Sequence, residues 1–408
     1  MMFQKKYATT SRPFVSSLLA ILAISVGGCS GLQMGGSSEL SRAVTGGYRG
    51  NETLAVLLPE SGRYAGAAQV VRDGIVAARE ADPQGQRPAL LFYDSSAGSP
   101  TSLVQKAAAD GASLVIGPLR KQAVGKLAGA PSLPIPVLAL NMAATASKPP
   151  GNLYQFSLSP EDEAASVARG ARDEGYRTAL MLYPEGNWGN RMSRAFRQEW
   201  KALGGRVTAS RAFDPAAADF SSMVSSLSDR AAGADFVFLV ATAKLARQIW
   251  PQIRHKIGAD IPVYSTSHIY SGRFDPEDDR GLVGINFAEI PWLVEPESGD
   301  PVSSKGLYGN LPRLYAMGVD AYRLGSRLDW MSADPQAQVQ GKTGALSMDS
   351  QRRIHRELTL ARIEASGPVK IAATDSRGTE IVARRLPPHA LGPRLAALGS
   401  SALGNNRP

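Results

Sequence analysis

Short, almost uninterruptedly apolar runs alternate with helix-like stretches along most of the chain, and this alternation constrains the fold more than any other feature. The runs fall at residues 54–58, 89–93, 114–116 and 135–140, then at 179–183, 206–212, 236–240 and 262–264. Each closes on Gly, Pro, Asp or Ser, as strands buried on both faces of a parallel sheet do. Between them, helices are expected at 65–80, 103–110, 123–127, 161–173, 191–203, 220–231 and 243–257. Strand-then-helix repetition demands right-handed βαβ crossovers and a doubly wound sheet. The pattern occurs twice, with no close identity between the halves, so architecture is repeated and residues are not. The fold class is therefore α/β: two doubly wound parallel-sheet lobes with a cleft between them.

Lobe 1 is expected at about 51–158 plus 285–372 and lobe 2 at about 159–284. At the join, Ser159 suits a helix N-cap, Pro160 the first helical position, and Glu161 and Asp162 the positive end of the helix dipole. A helix over 311–330 returns to the first lobe, and a β-rich, hairpin-like region over 344–372 follows.

Composition narrows the chemistry. The chain has one cysteine, Cys29, which excludes a disulfide framework or a multi-Cys metal site. None of the four histidines is spaced from another like a helical ligand pair, so no metal and no cofactor is expected. The net charge of +9 is concentrated at the ends: residues 1–49 carry +4 and residues 373–408 carry +3, which leaves +2 for the body. A near-neutral body argues against nucleic acid as a partner.

Lys5, Lys6 and Arg12 precede an apolar stretch over 14–26, which ends in Gly27-Gly28-Cys29. This reads as a signal peptide over 1–28. Its end resembles a bacterial lipobox, with Val26 where leucine is commoner; Cys29 would then be acylated and hold the chain to a membrane by lipid. Ser30 is not an aspartate, which points to the outer membrane, facing the periplasm. Residues 29–50 read as a flexible tether and residues 373–408 as a disordered basic tail.

Ligands of open α/β sheets bind beyond the carboxyl ends of the strands. The first such end, Pro59-Glu60-Ser61-Gly62-Arg63-Tyr64, either holds an anion through Ser61 and Arg63 or is a plain turn and cap. Gly117-Pro118-Leu119 and Asn141 face the same crevice or form ordinary βα turns, and none of these loops is a nucleotide fingerprint. Trp188, between Asn187 and Gly189, is an aromatic platform for a ligand or partner, or a packing wedge between lobes. The run Tyr264-Ser265-Thr266-Ser267-His268-Ile269-Tyr270-Ser271-Gly272 is the densest polar cluster. No nucleophile elbow surrounds it, so Ser267, His268 and Tyr270 read as a hydrogen-bonding wall. Asp278-Asp279 read as a solvated loop face.

Several of these strings resemble the penicillin-binding protein activator LpoA family. They are Leu57-Leu58-Pro59-Glu60-Ser61-Gly62-Arg63-Tyr64, Val71-Arg72-Asp73-Gly74, Leu158-Ser159-Pro160-Glu161-Asp162-Glu163, Ser267-His268-Ile269-Tyr270-Ser271-Gly272, Pro291-Trp292 and Gly318-Val319-Asp320-Ala321-Tyr322. The resemblance spans about 50–372. It implies a type 1 periplasmic-binding-protein fold in an outer-membrane lipoprotein that stimulates peptidoglycan synthesis by docking onto a bifunctional class A penicillin-binding protein. It implies no catalytic residues. The larger members carry a helical-repeat domain ahead of this one, whereas here about twenty residues separate Cys29 from the body. Trp188, Tyr270 and Trp292 are the expected docking aromatics. The alternative is a solute-binding lipoprotein of an amino-acid-type ABC transporter, with a small ligand in the cleft.

Overall fold

Two sheets share one strand order. The computed structural model describes residues 46–144, 148–231, 233–296 and 306–371. In the first half, β1 (Thr53–Leu58), β2 (Ala89–Asp94), β3 (Leu114–Ile116), β4 (Val137–Ala139) and β5 (Leu153–Phe156) lie parallel in the order β2-β1-β3-β4-β5. In the second half, β6 (Thr178–Pro184), β7 (Arg206–Phe213), β8 (Phe236–Leu239), β9 (Val263–Ser265) and β10 (Asn286–Glu289) repeat it as β7-β6-β8-β9-β10. The doubled alternation of the sequence is thus a doubled topology.

Seven helices of eight residues or more are described: α1 (Ala65–Ala81), α2 (Pro100–Ala109), α3 (Lys121–Ala128), α4 (Pro160–Asp173), α5 (Asn187–Ala202), α6 (Ala243–Lys256) and α7 (Leu311–Gly325). The helix expected over 220–231 is two short pieces, Ser221–Ser225 and Ser228–Ala231. The one expected over 311–330 stops at Gly325, and Leu328–Ala333 resumes it. The returning helix α7 packs along α1 in the first lobe.

The C-terminal strands complete both sheets. β11 (Gln338–Gly341), β12 (Gly344–Met348) and β13 (Arg353–Glu357) extend the first sheet, with β13 parallel to β5. After the single residue Leu358, the chain changes sheets: β14 (Thr359–Glu364) runs antiparallel to β10 and β15 (Gly367–Lys370) follows it. This corrects the expected partition. Residues 286–289 and 359–370 belong to the second sheet, because β10 extends the parallel order from β9 and offers its free edge to β14.

β2 and β7 are also less buried than expected, since each is a sheet edge and has only one strand neighbour. The supposed tether ends sooner than residue 50. Tyr48 is buried, its hydroxyl donates to the Tyr322 carbonyl at 2.6 Å, and its ring lies 4.8 Å from that of Tyr322. The segments expected as signal peptide and basic tail, and Cys29, lie outside the described residues.

The main apolar core does not stop at the lobe boundary. It runs from Val56 and Phe156 of the first sheet through Ala164 and Val167 of α4 to Met181, Phe196 and Phe238 of the second lobe. Separate clusters fill the outer faces of the two sheets. The lobes are therefore welded by apolar packing where the chain crosses between them.

Candidate functional site

Three acids in the first turn of α4 reach three different elements. Ser159 caps the helix as expected, accepting from the Glu161 and Asp162 amides at 3.2 and 3.4 Å. Glu161 holds Arg191 of α5 through two bonds of 2.7 and 2.8 Å. Asp162 accepts the Arg356 amide at 3.2 Å and lies 3.1 Å from His355 Nδ1, both on β13 of the first sheet. Glu163 accepts the Ser267 amide at 3.2 Å and its hydroxyl at 2.9 Å, beyond the end of β9 in the second sheet. The helix dipole favours acids here, but Asp162 and Glu163 are buried, and buried carboxylates persist only when paired. Burial alone would push Glu163 up. Contact with His268 and the charges of Arg356 and Arg313 instead hold its carboxyl below the ordinary range.

Arg313 of α7 makes the second brace. Its Nε donates to Glu289 Oε1 of β10 at 3.0 Å, and a further nitrogen pairs with Oε2. The guanidinium also donates to the carbonyls of Gly309, Ser267 and Tyr270 at 2.9, 3.2 and 3.1 Å. Trp292, just past β10, stacks on Tyr315 of α7 with centroids 5.5 Å apart. A helix packed in the first lobe is thereby fixed to strand ends of the second.

The sequence-predicted residues divide into two groups. Trp188, Ser267, His268, Tyr270 and Trp292 cluster at the strand ends of the second lobe. Tyr270 and Trp292, expected on an exposed rim, are buried because α7 covers them: Arg313 takes the Tyr270 carbonyl and Tyr315 takes the Trp292 face. Trp188 is half-buried with its ring 4.8 Å from that of His268, and it packs on the main core as a wedge. The Ser267 hydroxyl donates to Glu163, and His268 Nδ1 lies near Thr266 and Glu163, so the pair is not a nucleophile with its base.

Ser61, Arg63, Tyr64 and Asn141 belong to the first lobe. Asn141 ties two turns together, donating to the Leu119 carbonyl at 3.0 Å and accepting the Met142 amide at 3.0 Å. Ser61 makes no side-chain cap; its hydroxyl pairs with that of Ser96 at 2.8 Å. Asp279, expected in a solvated loop, is buried and accepts the Asp275 amide at 3.0 Å.

Sequence reasoning missed Glu163 and Arg313 as site residues, and also His355. The His355 ring lies between Asp162 and Asp349, at 3.1 and 3.2 Å, and those hydrogen bonds push its pKa up to about 10. Half of this side chain is exposed, which weakens the energetic effect without changing its direction. A raised folded-state pKa means that the stability contributed is complete below the unfolded value of about 6.5. It is lost as pH rises through about 10. The His355 ring resonances should stay in the imidazolium position from pH 6 to 8 in an NMR titration; a midpoint near neutrality would contradict this geometry.

Two sheets of order 2-1-3-4-5, crossed by braced connections and with loops gathered at their carboxyl edges, define a two-lobed module of the periplasmic-binding-protein type. The family model described as "LppC putative lipoprotein" matches residues 50–365, and the chain belongs to that family. It is similar to the penicillin-binding protein activator LpoA of Photobacterium profundum, 30% identical over 348 residues, 78% of this chain and 56% of the relative. It is also similar to that of Serratia proteamaculans, 32% identical over 314 residues, 68% and 46%. The chain thus spans about half the length of the curated relatives it matches.

Among solved structures, the C-domain of LpoA from Haemophilus influenzae, described as a regulator of PBP1A, superposes with a TM-score of 0.67 at 23% identity. The match covers 78% of this chain and all of that one. A "putative branched-chain amino acid ABC transporter" from Chromobacterium violaceum superposes at 0.63 with 31% identity, over 76% of this chain and all of that one.

Proposed function

We propose that this protein is a non-enzymatic, lipid-anchored activator at the periplasmic face of the outer membrane, acting on a bifunctional class A penicillin-binding protein. In this reading residues 1–28 are removed, Cys29 carries the lipid, and the body past the tether binds the synthase. Activation then requires tighter binding to the synthase's active state than to its resting state. The observation that carries the reading is the spent state of the polar groups at the second-lobe strand ends. Glu163, Ser267 and Arg313 are committed to one another and to the backbone, and they brace the lobes instead of awaiting a zwitterion. Family membership and the names of its relatives support the same conclusion.

The similarity to the Chromobacterium violaceum protein favours a second reading, a solute-binding lipoprotein of a transporter. One pair of measurements separates them. Immobilised mature protein should capture a purified class A penicillin-binding protein and raise its glycan polymerisation rate, while calorimetry with branched-chain amino acids gives no binding heat. Tight amino-acid binding with no synthase complex would replace the first reading by the second.

A further inference from the structure

We propose that the rim of the first lobe between Arg63 and Arg120 is a docking contact for an acidic, carboxylate-bearing segment of a protein partner. This rests on the reading that the chain works by gripping another protein. In the strand order 2-1-3-4-5 the chain leaves β1 and β3 in opposite directions, and the loops after those two strands flank the switch point where open α/β sheets hold ligands. Ser61, Gly62, Arg63 and Tyr64 follow β1, and Arg120 follows β3. The turn at Gly62 has φ of 75°, which glycine adopts freely, and its surroundings are open.

The charge here is one-sided. The Arg63 guanidinium lies 4.7 Å from the Tyr64 ring centroid and that of Arg120 lies 5.8 Å from it. Among the described residues neither is paired with a carboxylate, and Arg120 reaches the Gln122 amide oxygen at 3.5 Å. The nearby acids are already engaged. Glu60 pairs with Arg72 at 3.2 Å, and Asp94 accepts the Glu60 and Ser96 amides and the Ser96 hydroxyl. Those bonds hold Asp94 below the ordinary carboxylate range. Two guanidinium groups, two hydroxyls and a phenol therefore line a cavity of about 250 Å³ with no acid among its lining residues.

Shape decides what kind of carboxylate fits. The cavity is an open notch on the rim, smaller than the roughly 300–1,000 Å³ of sites that engulf a free small molecule. An Asp or Glu side chain presented by a protein surface needs no such enclosure, and a guanidinium meets it through two parallel hydrogen bonds. Tyr64, 38% exposed, is one of three exposed large apolar side chains among the described residues. Tyr and Arg together are the residue types that dominate protein–protein binding energy.

The test uses the full mature chain in two arms. In the first, fluorescence anisotropy follows a labelled ten-residue Glu-rich peptide, with its Gln counterpart as the neutral probe. Binding of the Glu peptide alone is expected, about tenfold weaker for each of Arg63→Glu and Arg120→Glu. Binding should also weaken as salt rises from about 0.1 to about 1 M and the Debye length falls from about 10 to about 3 Å. Lys244→Glu, on the exposed surface of the second lobe, should leave it unchanged. In the second arm, the same variants are titrated against the synthase, with the same ranking expected. Equal binding of Glu and Gln peptides, or a synthase affinity indifferent to both reversals, overturns the docking contact. Failure of the native chain to capture any synthase counts against the proposed function alone, because the peptide arm still decides this one.

Discussion

Arg313→Ala is expected to lower the free energy of unfolding by about 3–5 kcal/mol, the cost of stranding one member of a buried ion pair. Glu289 is fully buried on β10; its Oε1 accepts both the Arg313 Nε and the amide of its neighbour Ile290, and its Oε2 pairs with a second guanidinium nitrogen. Burial pushes this carboxyl above the ordinary range, and the charge and hydrogen bonds of Arg313 oppose that push. Removing Arg313 also leaves the carbonyls of Ser267 and Tyr270 without that donor, and each lost buried hydrogen bond adds to the penalty. Urea unfolding of the variant gives the number. Replacing both partners by apolar residues, Arg313→Met with Glu289→Leu, should recover most of the loss, because neither charge is then desolvated alone. A single variant within about 1 kcal/mol of the native protein would show that Arg313 does not brace the lobes.

That brace explains why the densest polar cluster of the sequence was only half legible. The run from Ser267 to Gly272 is polar and closes a strand, so a wall of hydrogen bonds follows from its composition. Its partners do not, because Glu163 lies 104 residues away and Arg313 approaches on a helix whose docking depends on tertiary packing. The parallel strands were readable for the opposite reason: β1, β3 and β8 are covered on both faces, and their sequences are continuously apolar.

β5 escaped because Gln155 interrupts its apolar run; the buried Gln155 side chain accepts the Ala143 amide at 2.7 Å. The change of sheet at Leu358 was equally hidden. β14 pairs with β10 across at least seventy residues of chain, and nothing local distinguishes it from one more strand of the hairpin that precedes it. The acids of α4 announced a helix start, while their three destinations are properties of the assembled fold.

A large effect from a single small substitution is expected at Gly318. α1 and α7 cross with their backbones in contact: a Cβ on Gly318 would fall on the Val71 carbonyl oxygen, and one on Gly74 on the Tyr315 carbonyl oxygen. Both obstacles are main chain, so no side-chain rotation relieves them and the helices must separate. In an exposed helix interior, Gly→Ala gains about 0.5–1 kcal/mol. Gly125 in α3 is such a position, with nothing within 4 Å of an added Cβ. Gly125→Ala should therefore stabilise by about that amount, whereas Gly318→Ala should destabilise by about 2–3 kcal/mol as overpacking outweighs propensity. Gly318→Val should cost more. The damage would also travel along α7, since Arg313 and Tyr315 lie within two turns of Gly318 and hold β10 and Trp292. Gly318→Ala and Arg313→Ala should consequently fall short of additivity when combined, by about 0.5 kcal/mol or more, because the first already loosens what the second removes. Gains of stability at both glycines, read from parallel urea curves, would mean that the two helices do not touch where the structure places them.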